Sequence, residues 1–565
     1  MISLLDYGAG NVRSLRNAVL KLGYELQDIR APEDILAAEF ILFPGVGSFG
    51  SAMQRLHQMG YFAPLRDYLR AGRPFLGICI GLQALFEGSD ESPGVAGLGI
   101  IPGRVRRFDT PDLSVPHMGW NGIRVRQPSP LSEIVADEKL YFVHSYRAVP
   151  EAANADWVLA ETDYGTPFVS AVGRGRVAAV QFHPEKSGPA GLRLLEHFLR
   201  QPGAATRARG ANARADIGAK AVAGTVSPVV AGAGAGGDGE PRSGVAFPSS
   251  PPTRLAKRII ACLDVRANDA GDLVVTKGDQ YDVREAGEVR NLGKPVDLAR
   301  RYYEEGADEI TFLNITAFRD FPLADQPMLE VLRRTSEQVF VPLTIGGGIR
   351  AFTDGDGRHY SALEVAAEYF ASGADKISIG SDAVATVEQV LAQGGRTGDS
   401  AIEQIAHRYG NQAVVISIDP RRVYVTSPEE APRHQVIHTA TPGPRGEAWC
   451  WFQCTVKGGR EGRDLDAVTL ARVCEQLGAG EILLNSIDRD GTGIGFDLEL
   501  IQAVRAAVTI PVIASSGAGR VEHFSEVFAA TDVEAALAAG IFHRREVPIA
   551  AVKAHLHQTG IEVRP

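Results

Sequence analysis

Pro74-Phe75-Leu76-Gly77-Ile78-Cys79-Ile80-Gly81 reads as a short buried strand that breaks sharply at Cys79 and continues as a helix through Leu82, Gln83, Leu85 and Phe86. The flanking glycines, Gly77 and Gly81, permit the strained strand-to-helix turn that lifts one side chain clear of a sheet. A helix N-terminus at that turn favours thiolate over thiol, the form in which a cysteine attacks carbon. Taken alone, the stretch is read more readily as a buried, inert cysteine on a glycine-rich strand end. Its surroundings decide the matter.

Upstream, Ile2-Ser3-Leu4-Leu5 is a strand that exits into Asp6-Tyr7-Gly8-Ala9-Gly10-Asn11, and a helix follows with Val12, Leu15, Val19 and Leu22 on one face. Phe40-Ile41-Leu42-Phe43 is a second buried strand, ending in Pro44-Gly45-Val46-Gly47-Ser48. Strands alternating with helices predict an α/β domain. The turn Gly45, Val46 and Gly47 leaves backbone N–H groups uncovered, as an oxyanion hole requires, although a plain chain reversal would look the same. Downstream, Val177-Ala178-Ala179-Val180-Gln181-Phe182-His183-Pro184-Glu185 places His183 and Glu185 at the end of another strand. His183 can take a thiol proton, and Glu185 can fix its tautomer and stabilise the imidazolium. The elbow, the glycine turn and the His-x-Glu pair together outweigh the inert reading of Cys79.

At 565 residues the chain predicts more than one core, and its 45% apolar and 22% charged content is that of a globular protein. A formal net charge of −10 offers no general attraction for nucleic acid or anionic membrane, and no apolar run reaches spanning length. Cys79, Cys262, Cys450, Cys454 and Cys474 form no disulfide framework in so long a chain, which predicts a reducing compartment. Cys450 and Cys454 lack a second ligand pair with zinc spacing, so no metal site is expected. The numbering opens directly in a strand, without a signal or transit segment.

The expected domains are 1–200, a low-complexity linker over 201–253, and 254–565. The linker, rich in Ala, Gly, Ser and Pro, buries too little to offset its ordering entropy and is expected to be flexible. Beyond it, three signals recur in order. Ile259-Ile260-Ala261-Cys262-Leu263-Asp264 is echoed by Val414-Val415-Ile416-Ser417-Ile418-Asp419, and Ile310-Thr311-Phe312-Leu313-Asn314 by Ile482-Leu483-Leu484-Asn485. Val341-Pro342-Leu343-Thr344-Ile345-Gly346-Gly347-Gly348 is echoed by Ile510-Pro511-Val512-Ile513-Ala514-Ser515-Ser516-Gly517. Two halves with matched signals predict a duplicated half-barrel and hence a (β/α)₈ TIM barrel. Asp264 and Asp419 then face each other across its mouth, placed for general acid and base work. The turns at Gly347-Gly348 and Ser515-Ser516-Gly517, with Gly380-Ser381 and Ala539-Gly540 as neighbours, present backbone N–H groups to anions. Two such sites on opposite sides suit a ligand with a phosphate at each end.

The first part resembles the class I glutamine amidotransferase (glutaminase) of the imidazole glycerol phosphate synthase family. It does so through residues 6–11, 44–50, the elbow, Tyr141-Phe142-Val143-His144-Ser145-Tyr146 and residues 181–187. The second resembles the cyclase of that family through residues 261–265, Val275-Thr276-Lys277-Gly278, residues 373–378 and Ser486-Ile487-Asp488-Arg489-Asp490-Gly491-Thr492. The resemblance implies a fused glutaminase–cyclase of histidine biosynthesis. Cys79 would release ammonia from L-glutamine, with His183 as base and acid and Glu185 orienting it. Asp264 and Asp419 would use that ammonia on a bisphosphate ribulosyl-aminoimidazole-carboxamide. Lys277, Asn485 and Asp490 join the glycine turns as substrate contacts. Arg258, Glu309, Lys376 and Glu481 form a charged gate at the barrel floor, and Lys186 pairs with Asp375 across the domain interface. No cofactor, metal, nucleic acid or membrane is called for, and the chain is expected as a monomer in which the two domains touch. The plant-type likeness implies the plastid stroma, with the cytoplasm as alternative. Two positions depart from the bacterial cyclase pattern: Asn314 stands in place of an Asp, and Ser516 in place of a phosphate-loop glycine. His144 is expected to be structural, and the extra stretches 352–361 and 421–461 carry no assigned chemistry. An isomerase-like barrel served by a glutaminase, and a metabolite sensor with silent sites, are the competing readings.

Overall fold

The computed structural model describes residues 1–8, 10–45, 47–109, 112–133, 138–200, 252–268, 272–276, 284–285, 288–289, 291–315 and 322–565. Nearly all of the expected linker, together with Val46 and Lys277, lies outside the described residues.

The first domain is built on an eight-stranded sheet in the spatial order Leu26–Asp28, Ile2–Leu4, Phe40–Phe43, Phe75–Ile78, Val177–Val180, Thr166–Arg174, Val158–Tyr164, Arg124–Val125. The first five strands are parallel and the rest antiparallel. Phe40–Phe43 is apolar at every position because both faces of the sheet are covered. Ile41 and Phe43 join one apolar cluster, whereas Phe40 and Leu42 join the other with Leu76 and Ile78. The helix after Cys79 is shorter than its apolar pattern suggests and spans only Ile80–Gln83. The carbonyls of Ala84, Leu85 and Phe86, which a longer helix would need, instead accept from the backbone of residues 98–101. Leu85 and Phe86 are nonetheless fully buried.

The second domain is a closed barrel of eight parallel strands: Arg258–Ala267, Glu309–Asn314, Leu343–Gly346, Lys376–Ile379, Val414–Ile418, Glu481–Asn485, Val512–Ser515 and Ala535–Ala538. Pairing of the first strand with the eighth completes the ring. Alternation along each strand sorts residues inward and outward. Ile260, Cys262, Val415, Leu483 and Ile513 fill the lumen, while Ile259, Ala261, Ile416 and Ile482 pack against the helices. Among the described residues, no helix is long and apolar enough to cross a membrane.

Both extra stretches are ordered. Residues 352–361 carry a hairpin of Phe352–Thr353 and His359–Tyr360, with the Phe352 ring stacked on Tyr360 at 5.2 Å. The longer stretch folds into a four-stranded antiparallel sheet of Pro420–Val425, Ile437–His438, Trp449–Val456 and Glu461–Asp466, and it buries Trp451 and Phe452.

The glutaminase-like domain sits on the barrel end where the strands begin. Lys186 Nζ lies 2.6 Å from Asp375 Oδ2, and the Asn11 amide donates to Asp375 Oδ1 and to the Gly373 carbonyl, both at 2.8 Å. Gly188 N–H donates to Phe340 O, and Trp120 O accepts from Ala256 N–H. The Arg564 guanidinium lies 4.2 Å from the Trp120 ring centre, and the indole N–H donates to Asp308 O.

One polar device lies inside the first domain's core. His144 Nδ1 is 2.8 Å from Tyr146 O, its Nε2 is 3.2 Å from His117 Nδ1, and His117 Nε2 is 3.2 Å from the Asn121 amide. The Tyr146 carbonyl can only accept, so each ring in turn donates once and accepts once, and both are neutral. His144 is therefore structural, as expected. Burial holds His117 well below the ordinary histidine range and His144 down to about 3. Because these groups are depressed on folding, their contribution is complete above about pH 6.5, the unfolded value, and is lost as pH falls below it. Each should remove about 1.4 kcal/mol of stability per pH unit in that range. Urea unfolding of the first domain at pH 8, 6.5 and 5.5 should show this slope, and His144→Gln should flatten it. An equal slope in the variant would show that other groups set the acid sensitivity.

Candidate active sites and the passage between them

Cys79 follows Phe75–Ile78, and His183 and Glu185 follow Val177–Val180, its parallel neighbour in register with Ile78 opposite Val180. Adjacent parallel strands therefore deliver all three side chains to one edge of the sheet. The elbow is as strained as the sequence predicted. Cys79 sits at φ 54°, ψ −103°, with its N–H held by Val180 O at 2.8 Å. Its glycines have no room for a side chain: a Cβ at Gly81 would meet Phe43 O at 2.4 Å, and one at Gly77 would meet Gly81 O at 2.6 Å. Gly45 packs against Ile80 equally closely, so the glycine turn lies directly over the elbow. Gly47, at φ 128°, faces the other way, toward Arg408 O of the barrel domain.

His183 Nδ1 lies 2.9 Å from Glu185 Oε1, and both side chains are about 6% exposed. Its Nε2 is buried without a hydrogen-bond partner. Burial pushes His183 down, but the Glu185 carboxylate and then the nearby Cys79 more than reverse this, raising it to about 10. The imidazolium is thus strongly held beside the sulfur. Gln181, quoted in the sequence motif but given no role, donates to Cys79 Sγ at 3.4 Å, and its own carbonyl accepts from Gln83 at 3.2 Å. This places an amide donor on the sulfur.

A cavity of about 20 Å³ opens between the domains, with Tyr141, His183 and Glu185 on one side and Lys376, Gln412 and Ala413 on the other. That is room for one water-sized molecule. Next to it lies a closed ring of four charges, all at most 1% exposed. Arg258 pairs with Glu309 at 2.9 Å and with Glu481; Lys376 pairs with Glu309 at 2.7 Å and with Glu481 at 2.6 Å. Each residue begins a barrel strand, which is why the four meet at the floor. Thr344 donates to Glu309 at 2.6 Å, and the Lys376 ammonium reaches Met118 Sδ of the first domain at 3.7 Å. Burial would raise Glu481, but Arg258 and Lys376 hold it below the usual carboxylate range.

At the opposite end of the barrel, Asp264 lies on the first strand and Asp419 directly follows the fifth, so the two face across the mouth. Asp419 Oδ1 accepts from the Asn485 amide at 2.7 Å and from Ser417 Oγ at 3.4 Å. Burial raises Asp419 above the usual range, these two hydrogen bonds oppose it, and Asp490 adds to the rise. Asn485, expected as a substrate contact, thus has its amide on Asp419. The glycine- and serine-rich turns fall where the repeat placed them: Gly347-Gly348 and Gly380-Ser381 after the third and fourth strands, Ser515-Ser516-Gly517 and Ala539-Gly540 at the ends of the seventh and eighth. Gly347 and Gly348 have φ of 88° and 80°, and a Cβ on Gly347 would lie 2.1 Å from Asn314 O. Ser516 holds φ 73°, a conformation that explains a glycine at this position in the bacterial pattern. Among the described residues, no group of three or more His, Cys, Asp or Glu side chains is arranged to hold a metal.

Comparison with known proteins agrees with this geometry. Residues 3–201 match the class-I glutamine amidotransferase family model, and residues 258–548 the histidine biosynthesis protein family model. The chain is 56% identical over its whole length to the chloroplastic imidazole glycerol phosphate synthase hisHF of Arabidopsis thaliana, covering 89% of that protein. It is 52% identical over its whole length to imidazole glycerol phosphate synthase hisHF of Emericella nidulans and of Schizosaccharomyces pombe, covering 98% and 100% of them.

Two substitutions test the site. Glu185→Gln should lower glutamine hydrolysis by about 10²–10⁴-fold, since the tautomer and the imidazolium lose their support. It should also reduce the stability that His183 gives below about pH 6.5, which in the parent is lost only as pH rises through about 10. Ser516→Gly should raise stability by about 1 kcal/mol by relieving the left-handed serine, read as an increase in the urea midpoint. An unchanged midpoint would mean that the serine side chain makes a compensating contact.

Proposed function

The chain belongs to the family of imidazole glycerol phosphate synthases that fuse a glutamine amidotransferase to a cyclase barrel, and we propose that its halves pass ammonia from Cys79 to Asp264 and Asp419 through the ring of Arg258, Glu309, Lys376 and Glu481. It is a bifunctional enzyme of histidine biosynthesis. The observation that carries the residue assignment is the cavity between His183 and Lys376, which brings the triad to the charged ring at the barrel floor.

In this reading the Cys79 sulfur attacks the carboxamide carbon of glutamine. The carbonyl oxygen, now negative, is held by N–H groups of the turn Gly45, Val46 and Gly47. His183 gives a proton to the departing nitrogen, ammonia leaves, and a glutamyl thioester remains. Water, deprotonated by His183, hydrolyses the thioester to glutamate. Released into bulk water, ammonia would be almost wholly protonated and without a lone pair for attack. Direct transfer through the cavity beside His183 would spare it that encounter with bulk water. The ring is closed in this structure, so passage requires one ion pair to part, and Lys376, with the longest flexible stem, is the member suited to move.

At the barrel mouth, ammonia adds to the open-chain bisphosphate substrate. Asp264 and Asp419 move the protons that cleave the substrate and close the imidazole ring, giving imidazole glycerol phosphate and the aminoimidazole carboxamide ribotide. Gly347, Gly348, Gly380 and Ser381 take one phosphate, and Ser515, Ser516 and Gly517 the other. Lys277 and Asp490 are assigned to the substrate between them. The domain limits we propose are 1–200 and 254–565 about a linker of 201–253. We assign a monomer, because the two halves that must meet do so within one chain. The plastid stroma is proposed on the chloroplastic name of the Arabidopsis relative, with the cytosol as alternative.

The test separates the two nitrogen sources. Cys79→Ala should lose glutamine-dependent product by at least about 10³-fold while keeping product formation from ammonium salts at raised pH. Asp419→Asn should lose both. Product from glutamine in Cys79→Ala, or parent-like turnover in Asp419→Asn, would refute the assignment.

A further inference from the structure

We propose that Arg422, at the root of the inserted sheet, is a positioning residue for the cyclase centre: it holds the loop of residues 486–497 where Asn485 can orient Asp419 and Asp490 can meet the substrate. The inference rests on the barrel reading above and gives the longer insertion a role in it.

Arg422 follows Asp419 by three residues, on the strand Pro420–Val425. Its side chain is 4% exposed, and its guanidinium lies 5.2 Å from the Phe452 ring centre. Three carboxylates converge on it. Nε donates to Asp497 Oδ2 at 2.9 Å and a terminal nitrogen to Asp497 Oδ1; the other terminal nitrogen donates to Glu499 Oε2 at 2.8 Å. The Arg422 backbone N–H donates to Asp488 Oδ2 at 2.8 Å. Asp497 in turn caps the helix Leu498–Arg505 and accepts from Ser486 Oγ at 3.4 Å. Both ends of the loop, at Ser486–Asp488 and at Asp497–Glu499, are therefore fixed to one residue. Glu499 also accepts from Thr439 Oγ1 at 2.8 Å and from Ala440 N–H at 2.7 Å, which ties in the inserted sheet.

Between its fixed ends the loop has no slack. Gly495 N–H donates to Gly517 O at 2.8 Å, and a Cβ at Gly517 would lie 2.3 Å from Gly495 O. One at Gly519 would lie 2.2 Å from Gly493 O. The loop rests directly on the turn assigned to the second phosphate. At its other border stands Asn485, whose amide holds Asp419. Without the guanidinium, Asp497 and Glu499 would face each other with no cation between them. The loop would then separate from the sheet and carry Asp490, Asn485 and the 515–517 turn with it. A lysine retains the charge but cannot serve two carboxylates in fixed geometry as the planar guanidinium does.

The experiment measures ammonium-dependent turnover in the full chain, varying the bisphosphate substrate, well below the melting temperature of each variant. Arg422→Lys should remain folded yet raise KM for the bisphosphate and lower kcat together, with kcat/KM down by about 10²-fold, the scale of an ångström's misplacement. Arg422→Met should lose more. Should Arg422→Met fail to fold, Glu499→Gln, which leaves the Arg422–Asp497 pair intact, should raise KM by a smaller factor than Arg422→Lys. A folded Arg422→Lys within two-fold of the parent in kcat/KM overturns the proposal. So does a fall in kcat that tracks only the folded fraction while KM stays constant, the signature of a buttress for stability alone. A parent chain that makes no product from ammonium would overturn the barrel reading itself and this proposal with it, and is distinguished by failing before any variant is compared.

Discussion

The ring of Arg258, Glu309, Lys376 and Glu481 is the constraint on which the rest of the molecule depends. Two cations and two anions cancel, so the barrel floor carries no net charge, yet each is almost fully withdrawn from water. Such a cluster gives little stability over a well-packed apolar floor, and losing one member would leave an uncompensated buried charge at a cost of about 3–5 kcal/mol. A barrel that needed only stability could close its floor with leucine and valine, as it fills its lumen with Ile260, Val415, Leu483 and Ile513. Charges, unlike leucine and valine, can part and re-form, which is the property the proposed passage requires.

That argument requires a roof, and the docking surface supplies it. Met118 lies against Lys376, Trp120 is held between Arg564 and Asp308, and Lys186 pairs with Asp375 beside the triad. The contact also reaches the oxyanion turn from the barrel side. Ser48 Oγ and Ser51 Oγ both donate to His407 O, and Gly47 packs on Arg408 O, at the end of the helix Ala401–Tyr409. The strand that starts just beyond this helix, Val414–Ile418, leads directly to Asp419. One strand of the barrel thus runs from the docking surface to Asp419.

Much of this was legible in the sequence because it rests on local rules. The elbow needs glycines at 77 and 81, the His-x-Glu pair needs a strand end, and the duplicated signals place Asp264 and Asp419 on opposite strands. Lys186 with Asp375 and the four ring residues were reachable only through family resemblance, since nothing in their spacing says that separate strand beginnings converge. The length of the elbow helix was misjudged because hydrogen bonds from residues 98–101, far along the chain, take the carbonyls that would have extended it. Gln181 and Arg422 carry no sequence signal of a role for the same reason. Their significance lies in partners distant in sequence, Gln83 and Cys79 for one, Asp497 and Glu499 for the other.

Duplication also bears on the surroundings of the two mouth carboxylates. Asp264 and Asp419 occupy equivalent places, so a perfectly repeated barrel would give them equivalent environments and no division between acid and base. The halves have diverged two residues earlier: Cys262 stands where the other half has Ser417. The Ser417 hydroxyl donates to Asp419 at 3.4 Å, whereas the Cys262 thiol reaches Asp264 at 3.9 Å. A hydroxyl is the stronger donor and favours the charged carboxylate more than a thiol does. Asn485 adds a further donor to Asp419 at 2.7 Å. Burial and the nearby Asp490 push Asp419 the other way. Acid–base pairs are recognised by environments that drive two like groups apart. Here the divergence of a single oxygen to a sulfur gives Asp419 a stronger donor, two residues earlier, than the one Asp264 has at the matching position.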